Sequence, residues 1–256
     1  MSQSVLEARN LGKTFGGLVA LDKLDLAIET GKITAIIGPN GAGKTTLFNL
    51  IAGVYMPSTG EIRFEGMPVN RISAHGRAAM GIARSFQNVL LFGNMTVLEN
   101  VMAGQHPRSS SGFLEGALSL PKAHREEETV SLKATKYLNL VGLGIYAQQE
   151  ALSLPLGQQK LLGIARALAT EPRVLLLDEP GAGLSTIEKR ALGDLIHRVS
   201  EMGISVLLVE HDMPLVMGIA QWVIVLDSGK KIAEGTAAQI QKDQRVIAAY
   251  LGEDID

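Results

Sequence analysis

The chain has 256 residues, 46% of them hydrophobic, with no cysteine and a formal net charge of −2. Such a length and apolar share suit one large α/β domain, or a core with a smaller subdomain, and exclude global disorder. Without cysteine there is no disulfide framework or thiolate metal site, which fits a reducing cytoplasm, and scattered basic residues give no footprint for nucleic acid.

Residues 1–7 lack the basic-then-apolar layout of a signal peptide, and no uncharged apolar run reaches the ~18 residues of a membrane span. Segments 5–8 and 24–28 read as strands of an antiparallel layer, which segment 61–64 is expected to join. Phe15, in Lys13-Thr14-Phe15-Gly16-Gly17, is expected just beyond the first strand. Its ring can stack on a base or serve as an ordinary core or turn aromatic.

Segment 32–37 is β-branched and apolar, and 46–52 reads as a helix. Between them Gly38-Pro39-Asn40-Gly41-Ala42-Gly43-Lys44-Thr45 fits the pattern G-x-x-x-x-G-K-[ST]. Its glycines let successive N–H groups turn inward on a triphosphate; Lys44 reaches the β- and γ-phosphates, and the Thr45 hydroxyl ligates Mg²⁺. The following helix, entered at Thr46, aims its positive end at the same anion. Strand before and helix after make this far more specific than the bare pattern, so the chain is expected to bind a nucleoside triphosphate with Mg²⁺.

From residue 87 to 157 the strand signal fades and helical periodicity takes over. This predicts a mainly helical subdomain inserted into an α/β core of residues 1–86 and 158–256, all within a single domain spanning 1–256. The stretch 105–123, with Pro107, Pro121 and a Ser-Ser-Ser-Gly run, reads as a solvated loop, with a partner-contact element as the second reading. Gln87, after Ile82-Ala83-Arg84-Ser85-Phe86, carries an amide able to bind both Mg²⁺ and water; alone it is a weak signal.

Leu154-Pro155-Leu156-Gly157-Gln158-Gln159-Lys160 precedes a strongly helical run at 161–168, whose first N–H groups form a second potential anion site. Segments 174–177 and 205–209 are short continuous apolar runs, as in strands buried on both faces of a parallel sheet. Asp178 and Glu179 end the first of these, where α/β ligand chemistry sits. Asp178 suits metal binding through water, and Glu179 suits polarising a water that attacks the γ-phosphate. His211 follows the second run and is placed to orient that water or donate to a phosphate oxygen; a lone histidine is more often structural. Segments 222–226 and 230–235 read as a hairpin with Gly229 in its turn, and 246–251 as a closing helix.

Taken in order, Phe15, the 38–45 loop, Gln87, Gly157-Gln158, Asp178-Glu179 and His211 resemble the ATP-binding cassette ATPases of ABC transporters, over essentially the whole chain. The resemblance implies a P-loop NTPase core with a mainly parallel sheet, an antiparallel β subdomain and an inserted helical subdomain. It further implies a head-to-tail pair of cassettes, with each ATP held between one phosphate loop and the other cassette's signature. In that scheme Phe15 stacks adenine, residues 38–46 hold the phosphates, and Leu156, Gly157 and Gln158 bind across the pair. Gln87, Glu179 and His211 are catalytic, and Thr45, Gln87 and Asp178 serve the metal. Two departures stand out: Pro155 replaces the usual signature serine, and Ser185 stands where aspartate is common after Asp178-Glu179-Pro180.

A narrower resemblance, to the ATPase subunits of branched-chain amino-acid importers, rests on Ala83-Arg84-Ser85-Phe86-Gln87, Met95-Thr96-Val97-Leu98-Glu99-Asn100-Val101, the Leu154-Pro155-Leu156-Gly157-Gln158-Gln159 signature and the ending Val246-Ile247-Ala248-Ala249-Tyr250-Leu251-Gly252. It implies a second cassette (the same chain or a paralogue), transmembrane permease subunits, an extracytoplasmic substrate-binding protein, and a peripheral place on the cytoplasmic face of the membrane. Cassettes for urea and amide uptake are similar. A soluble, non-transport cassette ATPase is disfavoured by the lack of a coiled coil or second fused cassette, and a small-molecule kinase by the ordered Gly157-Gln158 and His211.

Overall fold

The computed structural model of the chain describes residues 4–85, 90–105 and 121–251. Strands β1 (Ser4–Phe15) and β2 (Leu18–Glu29) form a long antiparallel hairpin. The chain crosses to a second sheet as β3 (Ile33–Ile37), runs through α1 (Lys44–Ile51), and returns to the first as β4 (Thr59–Phe64) and β5 (Met67–Pro68). The first sheet has the order β2-β1-β4-β5. Helix α2 (Ala74–Met80) then leads into β6 (Ile82–Ser85) of the second sheet.

A largely helical stretch follows: α3 (Val97–Ala103), α4 (Pro121–Leu140), 3₁₀ turns at Gly144–Tyr146 and Ala151–Ser153, and α5 (Leu156–Leu168). The chain then alternates through β7 (Val174–Asp178), α6 (Thr186–Glu201), β8 (Ser205–Val209) and α7 (Met213–Ile219). It closes with the hairpin of β9 (Trp222–Asp227) and β10 (Lys230–Gly235), then α8 (Ala237–Ile240) and α9 (Gln244–Leu251). The second sheet has the order β10-β9-β3-β8-β7-β6, parallel except for the antiparallel edge strand β10.

The continuous apolar runs of β7 and β8 follow from burial on both faces. Leu175, Leu177, Val206 and Leu208 pack with α5 and α6 residues such as Leu162, Leu168, Leu192 and Ile196. Leu176, Leu207 and Val209 pack on the other side with Leu47 and Phe48 of α1 and with the antiparallel sheet. Phosphate-loop helix and β layer therefore share one core. Both are fixed to the same sheet face, a prerequisite for one site built from each.

Three expectations shift. The first strand runs to residue 15 rather than 8, because Asn10 takes a left-handed φ of 47° at a register shift and pairing resumes at Leu11. Phe15 therefore ends β1, paired with Leu18, rather than lying beyond the strand. The signature helix starts at Leu156, not near 161. Pro155, at φ −54° and ψ 151°, enters it as the cap residue, and Gly157 and Gly163 had masked the helical periodicity. Of the stretch 105–123 read as a loop, residues 106–120 lie outside the described residues. Gln105 is buried and donates through Nε2 to the Val130 carbonyl at 2.8 Å, and Pro121 opens α4. Proline suits a first helical turn, whose N–H groups lack partners in any case. Among the described residues no helix is long and apolar enough to cross a membrane.

Candidate active site

Sheet order decides the convergence. The loops after β3, β8 and β7, three adjacent parallel strands, leave the sheet at the same carboxyl edge, the usual seat of α/β ligand chemistry. They carry residues 38–44, His211 and Glu179 respectively. Phe15, Leu18, Val19, Ala20, residues 40–46, Glu179 and His211 together line one open cleft of about 320 Å³.

Glycines shape the phosphate loop where no other residue fits. Gly38 has φ 148°, and a Cβ there would meet the Leu226 carbonyl oxygen at 2.0 Å. Gly43, at φ 98°, caps α1 against the Ala20 carbonyl, which its Cβ would meet at 2.7 Å. No side chain caps α1, so its first N–H groups and the positive end of its dipole face the cleft. Lys44 is only 6% exposed, and its Nζ donates to the carbonyls of Gly38 at 2.6 Å and Pro39 at 2.7 Å. The exposed Thr45 hydroxyl is available to a metal or phosphate on the cleft side.

A sharp turn presents Glu179. Its φ of 47° is uncommon for a residue with a Cβ, and its N–H donates to the Val209 carbonyl at 2.9 Å. Strain of this kind, about 1 kcal/mol or more, persists only where neighbours over-determine it and is typical of functional positions. Glu179 Oε1 lies 2.9 Å from His211 Nε2, so the carboxylate and imidazole meet inside the cleft. Asp178, one residue earlier and 4% exposed, accepts a 2.6 Å hydrogen bond from Arg84 Nη2, while Arg84 Nη1 donates to Asn49 Oδ1 of α1 at 2.6 Å. Arg84 thus gives the buried carboxylate a counter-charge and ties it to the phosphate-loop helix, a role the sequence reading missed. Its sequence traces are its position near the end of a short strand and its place in the Ala83–Gln87 motif, and neither says which carboxylate it pairs with.

The remaining predicted residues lie elsewhere. Gln87 falls outside the described residues. Gly157 and Gln158 line a separate pocket with Leu184 and Glu188 and do not reach the phosphate cleft of their own chain. Gly157 is packed so closely that a Cβ would meet Glu188 Oε1 at 2.8 Å. Ser153, two residues before Pro155, spends its hydroxyl on the Glu150 carbonyl at 2.7 Å. Ser185, in the departure from aspartate, caps α6 reciprocally with Glu188. Other contributors escaped the sequence reading. Tyr55 packs edge-on against Phe15 with centroids 5.3 Å apart, and Lys13 Nζ sits 4.9 Å from the Phe15 centroid. The Gly229 turn bridges loop and β layer, accepting from Asp22 N–H and donating to the Ala42 carbonyl.

A phosphate loop, an acidic strand end and a histidine at one sheet edge, with a second glycine-containing helix start outside the cleft, define an ATP-binding cassette. The family model described as ABC transporter matches residues 21–182, so the chain belongs to the ABC transporter family and is an ATPase. A second model, described as branched-chain amino acid ATP-binding cassette transporter, matches residues 230–256. Among relatives, the high-affinity branched-chain amino acid transport ATP-binding protein BraF of Pseudomonas aeruginosa is 43% identical, covering 99% of this chain and 100% of that protein. LivG of Escherichia coli, of the same description, is 41% identical with the same coverage. The ADP conformation of MJ1267, an ATP-binding cassette of an ABC transporter, superposes with a TM-score of 0.86 at 32% identity, covering 98% of this chain and 100% of that one. The dimeric structure of MJ0796, a bacterial ABC transporter cassette, gives 0.77 at 26% identity, covering 91% and 98%.

Proposed function

We propose that this chain is the ATP-hydrolysing, energy-coupling subunit of a branched-chain amino-acid importer, in which the cargo never touches it. The observation that carries the reading is the cleft itself: loop 40–46, Glu179 and His211 share it, while Gly157 and Gln158 do not. A site so divided is completed by the signature turn of a second cassette, either another copy or a paralogue. That pair works on permease subunits at the cytoplasmic face of the membrane, fed by a substrate-binding protein. The helices of this chain between β6 and β7 are assigned the role of passing motion to the permease.

In the reaction, Phe15 stacks on the adenine and the N–H groups of residues 40–46 and the Lys44 ammonium hold the phosphates. Mg²⁺ fits here because Thr45 lines the cleft with its hydroxyl exposed, while Asp178, buried on Arg84 one residue before Glu179, is assigned to the metal through water; when bound the ion would neutralise charge on the phosphate oxygens. Gln87 is assigned to the metal and the attacking water. Glu179 takes the proton of that water as its oxygen bonds to the γ-phosphorus and the bond to the β-phosphate oxygen breaks, giving ADP and phosphate. His211 Nε2 holds the Glu179 carboxylate in this structure; with ATP bound, the imidazole is assigned to a γ-phosphate oxygen instead.

Glu179→Gln is expected to bind ATP with near-normal affinity, accumulate an ATP-bound dimer, and turn over at least about 100-fold more slowly. Phosphate release and sedimentation with ATP measure this. Unchanged turnover would remove Glu179 as the base.

A further inference from the structure

Glu210 stands between β8 and His211 and is 4% exposed, yet the reaction above gives it no task. Its two oxygens are fully engaged with backbone. Oε1 accepts from the Gly181 N–H at 2.5 Å, and Oε2 accepts from the N–H groups of His211 at 3.0 Å and Asp212 at 3.4 Å. A Cβ at Gly181 would meet Oε1 at 2.7 Å, so the loop after Glu179 is seated directly on this carboxylate. From the opposite side Lys160 of α5 donates to the carbonyls of Glu179 at 3.4 Å, Pro180 at 3.5 Å and Ala182. Desolvation pushes the Lys160 ammonium below the usual lysine range, while Glu210 and Glu179 hold it up.

We propose that Glu210 and Lys160 are positioning residues that clamp the backbone of residues 179–182, setting Glu179 against His211 and linking both to the signature end of α5. The inference rests on the reading of Glu179 and His211 given above. An anion gripping the Gly181 N–H and a cation gripping the Glu179, Pro180 and Ala182 carbonyls fix this peptide stretch, and the same anion ties it to the His211 and Asp212 N–H groups. That accounts for the left-handed turn at Glu179, which nothing in its own side chain explains. Lys160 lies one helical turn beyond Leu156. In a pair of cassettes, α5 begins at the partner's nucleotide while Glu179 serves its own. Lys160 is thus a mechanical connection from one nucleotide site to the other.

The test is steady-state ATPase of the full chain in its assembled dimer, with fluorescent-nucleotide binding and thermal midpoint as controls for folding. Glu210→Gln, which turns one acceptor into a donor facing an N–H, is expected to lower kcat about 10- to 100-fold and leave KM within about twofold. Lys160→Met is expected to lower kcat about tenfold and bring the Hill coefficient for ATP toward about 1, with nucleotide binding retained. Lys160→Arg, which keeps the cation, restores both. Should Glu210→Gln fail to fold, the part-exposed Lys160 pair decides. Wild-type kcat and Hill coefficient in Lys160→Met, or equal impairment of the Met and Arg variants, overturns the clamp. Undiminished turnover in Glu179→Gln would instead overturn the reading beneath it.

Discussion

Gly38 shows how tightly the phosphate loop is specified. Its φ of 148° and the Leu226 carbonyl 2.0 Å from any added Cβ leave no room for adjustment, because the obstacle is backbone rather than a flexible side chain. The carbonyl of the same residue accepts from Lys44, so displacing it moves the ammonium as well. Gly38→Ala is expected to weaken ATP binding at least about tenfold, or ~1.4 kcal/mol, measured by calorimetric titration with Mg²⁺ and ATP. Gly41, by contrast, has nothing within 4 Å of an added Cβ, though its φ of 79° still favours glycine. Two glycines of one motif are therefore retained for different reasons, close approach in one and backbone conformation in the other.

Helix α1 is held at both ends by unusual means. Its start is open to the cleft; its end is closed by Arg77 of α2, a fully buried guanidinium. Arg77 donates to the carbonyls of Leu50 at 2.5 Å, Ile51 at 2.8 Å, Val69 at 2.7 Å and Ile72 at 3.1 Å. A cation at a helix C-terminus complements the dipole, and the guanidinium adds donors to carbonyls of which Leu50 and Val69 also accept from the Gly53 and Ile72 N–H groups. Arg77→Met, similar in length but without donors, is expected to lower stability by about 3 kcal/mol or more, read from urea unfolding. Helix α7 is set by Asp212, which accepts from the Leu215 N–H at 2.9 Å and pairs with Lys189 at 2.5 Å. Lys189 first, then the Leu215 N–H, holds the Asp212 carboxyl below its ordinary value. A depressed folded value contributes stability that is complete above the ordinary aspartate range, near ~4, and is lost as pH falls through the folded value. Asp212→Asn should therefore be less stable than the parent at neutral pH. The gap should close as the urea midpoint is followed below about pH 4.

At the scale of the molecule, the phosphate cleft and the signature turn lie apart in one chain, and the proposed function makes each of them a half-site. The cleft holds the phosphate loop, Glu179 and His211, and the signature turn lines a pocket of its own with Leu184 and Glu188. This separation yields a complementation prediction. Chains disabled in the loop (Lys44→Met) and chains disabled in the signature (Gly157→Asp) are each expected to lack turnover. Mixed together, they should recover ATPase activity, because one of the two sites in a mixed dimer is intact. Phosphate release across mixing ratios measures it; a flat, inactive profile in the presence of dimer would argue for an obligatory paralogue.

Much of the site was legible because its chemistry is local. A phosphate loop needs its glycines, lysine and threonine within eight consecutive residues, and the two carboxylates must follow a buried strand directly; sequence alone determines both. The hairpin and the closing helix were legible for the same reason. What it left undetermined are contacts between charges far apart in the chain, such as Arg84 with Asp178, 94 residues on, or Lys160 with the turn after Glu179. A charged side chain looks alike in sequence whether solvated or buried, and only packing decides which. The strand order β3-β8-β7 brings residues 38–44, 211 and 179 to one edge, and the path of α5 carries Gly157 and Gln158 away from it. Sequence determined that this protein binds and hydrolyses a nucleotide. The tertiary structure decided that the signature turn lies apart from the phosphate cleft of its own chain, because helix packing fixes where that turn sits.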